Sequence, residues 1–172
     1  MKNILSTIIF YLALTSITFA NCDFERLGLG TGSEMVESVY STQIEQDPNN
    51  FSLSSSSQKG ISGNQICNDE KFRSVRFNFF FINHQLHLIS ATDDTDTVNH
   101  LENLTSYYGS PSNQRVSASV DGTDDYHWNF DQKDVFLQVI RDNGKIRNNI
   151  KIISKDYIPL LESFKDFEND IY

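Results

Sequence analysis

Basic residues are scarce in this chain: 14 Lys and Arg stand against 23 Asp and Glu, leaving a formal net charge of −9. A field of that sign repels phosphate backbones. No run of Lys or Arg with interleaved aromatics builds a local basic stripe either, so nucleic acid is not the expected partner. Long apolar runs are missing outside the first twenty residues, and cysteine is limited to two. No cofactor signature stands out, and none is expected. The chain is one domain's worth of sequence, large enough to bury a core without a metal.

The amino terminus carries the one apolar run, Ile4 to Leu14, behind the positive charge of Lys2. Thr18 and Ala20 fit the small positions before a cleavage point, so residues 1–20 read as a signal peptide and 21–172 as a single mature domain. A retained transmembrane helix needs roughly 20 predominantly apolar residues, and this run is shorter and broken by Ser6, Thr7, Thr15 and Ser16. After cleavage no stable membrane anchor remains, and loss of Lys2 makes the mature chain one unit more negative than −9. Lipidation of Cys22 is an alternative, but Asn21 stands where a lipoprotein has a small residue. The expected location is the periplasm or the outside of the cell.

An even cysteine count in an exported chain reads as one disulfide, Cys22 to Cys67. Neither cysteine has the cationic neighbours that lower a thiol pKa, so a catalytic thiol is not expected.

Periodicity predicts an α+β domain with a mainly antiparallel sheet and helices packed against it. A capping-box spacing at Thr31 and Glu34 opens a helix with Met35, Val36, Val39, Tyr40 and Ile44 on one face. Asp47-Pro48-Asn49-Asn50 ends it, and an irregular serine-rich stretch runs from Phe51 to Gly63. Val75, Phe77, Phe79 and Phe81 then alternate with Arg76, Asn78, Phe80 and Ile82 in a strand, which turns at Asn83-His84 into a second. Asp93, Asp94 and Asp96 precede a second helix carrying Val98, Leu101, Leu104 and Tyr108, placed as acids at its positive end. Strands follow at 126–130, 135–141 and 145–153, the last two joined by Asp142-Asn143-Gly144. A closing helix is predicted from about Tyr157 to Asn169.

The pattern thus reads as two helix-plus-hairpin units, in which Val75-Arg76-Phe77-Asn78-Phe79 parallels Val135-Phe136-Leu137-Gln138-Val139. In this order of elements the chain is similar to the helix-plus-sheet repeats of the β-lactamase inhibitory proteins. The likeness covers element order and no motif residue, and fold does not imply function.

Chemistry-bearing patterns are weak. His84 and His87 have the look of a zinc pair, but side chains alternate along a hairpin and no further ligand is marked by spacing. They read as a turn histidine and a strand histidine on a partly wet face, and no metal site is expected. Asp93-Asp94-Thr95-Asp96 and Asp121-Gly122-Thr123-Asp124-Asp125 miss the calcium-loop pattern. Helix capping accounts for the first and a solvated loop for the second. Gly28 to Ser33 imitates a phosphate loop without a preceding strand or a P-loop lysine. The sequons at Asn50 and Asn103 matter only in a eukaryotic source.

Aromatics are the most distinctive feature: thirteen Phe, seven Tyr and one Trp. With Phe79 and Phe81 on one side of a strand and Phe80 and Ile82 on the other, something must cover both faces. That cover is the closing helix, the serine-rich segment or a partner. Phe79, Phe80, Phe81 and Trp128 are accordingly the candidate partner-binding aromatics, and no catalytic residue is marked. The expectation is a non-enzymatic protein-binding or inhibitory module whose partner is another protein of the envelope or the extracellular space. The alternative is a secreted hydrolase using a histidine with Asp or Glu partners.

Overall fold

Two hairpins whose turns demand left-handed backbone organise the sheet. Asn83 and His84 have φ of 50° and 62°, and Asn143 and Gly144 have φ of 50° and 75°, which makes each a two-residue turn matched to the twist of its strands. The first joins β3 (Arg76–Ile82) to β4 (Gln85–Asp93), and the second joins β7 (Lys133–Asp142) to β8 (Lys145–Ser154). The computed structural model describes Cys22 and residues 24–40, 45–46, 55–157 and 159–160, with 45–46 and 55–59 given as backbone. The leader, the end of the first helix at Ile44, the Asn50 sequon and the closing helix beyond Leu160 lie outside the described residues.

The remaining strands are β1 (Glu45–Gln46), β2 (Ser55–Ser62), β5 (Asn113–Arg115) and β6 (Gly122–Asn129). All eight form one sheet in the order β1-β2-β3-β4-β8-β7-β6-β5, antiparallel at every junction. Chain order runs from edge to centre in each half, β1 to β4 and β5 to β8, so that β4 and β8 meet in the middle. Each half opens with a helix, α1 (Ser33–Tyr40) or α3 (His100–Tyr108), and a short α2 (Gly63–Cys67) with a 3-10 turn (Glu70–Phe72) follows β2.

Three local expectations are corrected. The serine-rich stretch is in part a strand: Ser55–Ser62 pairs along β3, with a register slip between Gln58 and Ile61 near Gly60, whose φ is 76°. Serines carry no period-2 signal, so this strand follows from its partner and not from propensity. The helix α1 starts after Gly32, whose carbonyl accepts from Met35 and Val36, while Thr31 is bonded by its carbonyl to the Leu86 amide of β4. The aspartates ahead of the second helix are not its cap. Asp93 ends β4, and Asn99 caps α3 by accepting from the Glu102 amide at 3.1 Å.

One face of the sheet is the core. Register places Phe77, Phe79 and Phe81 of β3 with Ile89 and Ala91 of β4, Ile150 and Ile152 of β8, Val135 and Leu137 of β7, and Trp128 of β6, all fully buried. Burying each large side chain contributes on the order of 1.5–3 kcal/mol. Val36 of α1 and Leu104 of α3 belong to the same cluster; Tyr40 stacks on Phe79 and Tyr108 tilts against Trp128. Trp128 donates its indole N–H to the Gly109 carbonyl at 2.7 Å. Cys22 and Cys67 are joined in a disulfide that ties the segment just before Phe24 to the end of α2. Phe24 then packs on Phe72, Phe77 and His100.

Candidate functional site

The six residues between β5 and β6 form a hairpin loop without glycine or proline, 116–121, yet the structure pins it at several points. Asp124, buried on the core face of β6, accepts from the Ser117 amide at 2.8 Å. It also receives the Arg141 guanidinium as a fork, Nη1 to Oδ2 at 2.7 Å and Nη2 to Oδ1 at 2.8 Å. Those guanidinium hydrogen bonds, opposed by burial and helped by the Ser117 amide, hold the Asp124 carboxyl below its ordinary value and raise that of Arg141. Arg141 spends its Nε on the Val120 carbonyl at 3.3 Å, Asp121 accepts from the Asn143 amide at 3.0 Å, and Ser117 Oγ accepts from the Ser119 amide at 3.2 Å.

Gly122 makes room for this arrangement, since a Cβ there would lie 2.3 Å from Ser117 Oγ. The loop that results is braced from beneath and apolar at its tip. Val116 is 57% and Val120 88% exposed. The second acidic cluster is therefore not a freely solvated loop: its Asp124 is a buried structural anion.

The histidines are sorted by the fold. His84 is exposed in its turn. His87, expected on a partly wet face, is buried: it alternates with Ile89 and Ala91 on the core face of β4, and the bulge opposite Phe80/Phe81 brings Leu86 onto that face beside it. Its Nδ1 lies 2.9 Å from Ser154 Oγ and 3.4 Å from Asp156 Oδ1, at the wall of an open cleft of about 940 Å³. Asp156 is held below its ordinary value, first by a hydrogen bond from Ser154 and then, against burial, by the charge of His87. Across the cleft Lys133 pairs with Glu25 at 2.6 Å, over the rings of Tyr108 and Phe130.

His100 is buried against Asp93, with Nε2 to Oδ2 at 2.8 Å and Nδ1 lacking a hydrogen-bond partner among the described residues. Burial works against the Asp93 charge, yet hydrogen bonds from His100, Thr95 and Ser74 hold its carboxyl below the ordinary value. His127 pairs with Asp134 at 2.7 Å and stacks flat on Phe136.

This brings serine, histidine and carboxylate together at His87, Ser154 and Asp156. A catalytic relay needs the carboxylate on one ring nitrogen and the nucleophile on the other. Here both converge on Nδ1, and the serine hydroxyl is engaged by Asp156. Among the described residues no three His, Cys, Asp or Glu side chains gather to hold a metal, and no helix is long and apolar enough to cross a membrane.

Of the aromatics named from sequence, Phe79, Phe81 and Trp128 lie in the core, each 1% exposed, and Phe80 stands half-buried on the second face of the sheet. The ring most exposed on that face is Phe136, which periodicity marked only as part of a strand. Val116 and Val120 carry no periodic signal and were not marked. No family model, curated protein or solved structure matches the chain, so the likeness in element order to the β-lactamase inhibitory proteins carries no argument.

Proposed function

We propose that this chain is an exported acidic module that binds or inhibits a protein of the periplasm or extracellular space, without enzymatic activity of its own. In this reading α1 and α3 close one face of the sheet, and the molecule meets its partner through the braced loop between β5 and β6. The observation that carries the reading is the exposure of Val120 at the tip of a loop whose backbone is already fixed by Asp124 and Arg141. A rigid loop loses little conformational entropy on docking, so apolar contact at its tip converts into affinity with small ordering cost. Apolar anchors of this kind act by filling a pocket on the partner.

The partner that fits has a pocket of valine size with a basic rim, because Asp121 lies beside the tip and the chain as a whole is strongly negative. The test compares the mature wild-type protein with a Val116→Asp, Val120→Asp variant as baits in envelope extract. A single partner retained by the wild type and lost by a variant with an unchanged melting curve supports the proposal. Equal retention by both baits sinks it.

A hydrolase reading has one observation in its favour, the His87, Ser154 and Asp156 cluster in the cleft. It ranks second because both partners share one ring nitrogen. Turnover of p-nitrophenyl acetate that disappears in Ser154→Ala would reverse the ranking.

A further inference from the structure

The second face of the sheet is a different surface from the loop, and its side chains form ordered rows. Strand register places Arg115, Asp125, Gln138 and Asn149 side by side across β5, β6, β7 and β8. The row is bonded along its length: Arg115 Nε to Asp125 at 3.1 Å, Gln138 Nε2 to Asp125 at 3.0 Å, Asn149 Nδ2 to Gln138 at 3.4 Å. The adjacent row aligns His127, Phe136 and Lys151. The His127 and Phe136 rings are stacked with centroids 4.5 Å apart and planes 9° from parallel, and His127 Nε2 lies 2.7 Å from Asp134 Oδ1. Phe136 remains 39% exposed, and the two rows line an open groove of about 910 Å³.

Charge on this floor is unlike the charge of the whole chain. Asp125 is matched by Arg115, whereas Lys151 makes no ion pair among the described residues. Its lining thus holds Arg115 and Lys151 against Asp125 in a chain of net charge −9, and Lys151 stands directly opposite Phe136 in register. An occupant must combine a flat apolar face for the ring, hydroxyl or amide groups for a row of fixed amides, and an anionic group for Lys151.

We infer that this groove is a binding site for an acidic oligosaccharide. A pyranose lays its C–H face on an aromatic ring, its hydroxyls both donate to and accept from amides such as Gln138 and Asn149, and a uronate carboxylate supplies the charge. A peptide fits less well, because the main-chain groups of β7 and β8 are already used in the sheet and a peptide strand adds at an edge. The row is held by its own cross-strand bonds before any ligand arrives, which limits the ordering cost of binding.

The experiment titrates the mature protein, by calorimetry and by amide shifts in nuclear magnetic resonance, with three probes: an α-1,4-galacturonate hexamer, cellohexaose and a hexaglutamate peptide. The galacturonate hexamer binds, with shifts centred on Phe136 and Lys151. Phe136→Ala weakens binding about tenfold. Lys151→Gln weakens it about fivefold and flattens its salt dependence. Both positions are exposed on the sheet surface, and unchanged thermal melts show that the variants fold. The inference is overturned if the galacturonate shows no saturable binding up to about 10 mM. It is equally overturned if both variants bind as the wild type does, or if cellohexaose or hexaglutamate binds as tightly. The Val116→Asp, Val120→Asp variant binds the saccharide normally, so failure here and failure of the loop proposal are separable.

Discussion

Replacing Cys22 and Cys67 together by alanine tests the account at its firmest structural point. The bond closes a loop across a sequence separation of 45 residues. In the chain-entropy model a loop of that size withholds about 13 cal/mol/K from the unfolded chain, or about 4 kcal/mol at room temperature. The folded side changes less. Phe24 still packs on Phe72 and Phe77, and Glu25 still pairs with Lys133, so the amino-terminal segment keeps its seat. Most of the loss therefore comes from a freer unfolded state.

For a domain of this size the expected fall in Tm is about 8–16 °C, with a slightly larger denaturant slope because the released chain exposes more surface. The assay is urea unfolding followed by tryptophan fluorescence, since Trp128 is wholly buried and reports the core. Wild-type protein unfolded in dithiothreitol must agree with the double variant. A loss under about 1 kcal/mol in both, with native spectra retained, would refute the chain-entropy reasoning.

Three further outcomes are expected. Gly63→Ala should cost about 1–3 kcal/mol in the same melt, because its Cβ would sit 2.4 Å from the Phe72 carbonyl oxygen and 2.9 Å from Val75 Cβ; a change within about 0.5 kcal/mol would show that the site relaxes. Asp93 is depressed in the fold from an ordinary 3.8, so the stability it contributes is complete above that value and is lost as pH falls through the folded pKa. An Asp93→Asn variant should accordingly lose stability at neutral pH and show a shallower acid limb below about pH 4, and an unchanged limb by pH-dependent melting would contradict the hydrogen-bonded anion. Mass spectrometry of the protein purified from its source should return a chain beginning at Asn21, and a chain retaining Met1 would remove the export reading.

Much of the sheet was legible because its strands obey simple patterns. The alternation of Phe77, Phe79 and Phe81 marked the core face of β3, and Asn83-His84 and Asn143-Gly144 marked the β3–β4 and β7–β8 turns. The Cys22 to Cys67 pairing followed from an even cysteine count. What stayed hidden depends on pairing. Ser55–Ser62 is a strand because β3 offers it an edge, and serine has no apolar period to announce that. The bulge opposite Phe80 and Phe81 put Leu86 on the same face as His87 and Ile89, and the cover over His87 comes from Ser154 and Asp156, distant in sequence. Asp93 read as a helix acid because the charge pattern before α3 satisfied the dipole argument, while its real partner, His100, lies seven residues on inside the helix. The candidate sites were the least legible of all. Val120 is exposed through a fork between Asp124 and Arg141, residues distant in sequence, and the row from Arg115 to Asn149 exists only once four strands are in register.

The most direct measurement places a photo-crosslinking amino acid at Val120 in the living source cell, with the same residue at Met35, an exposed position on α1, as the control. A discrete adduct of one mass from Val120 and none from Met35 is the outcome expected of a loop that docks into a partner. No adduct from Val120 in a correctly folded protein, or the same adducts from both positions, would contradict it.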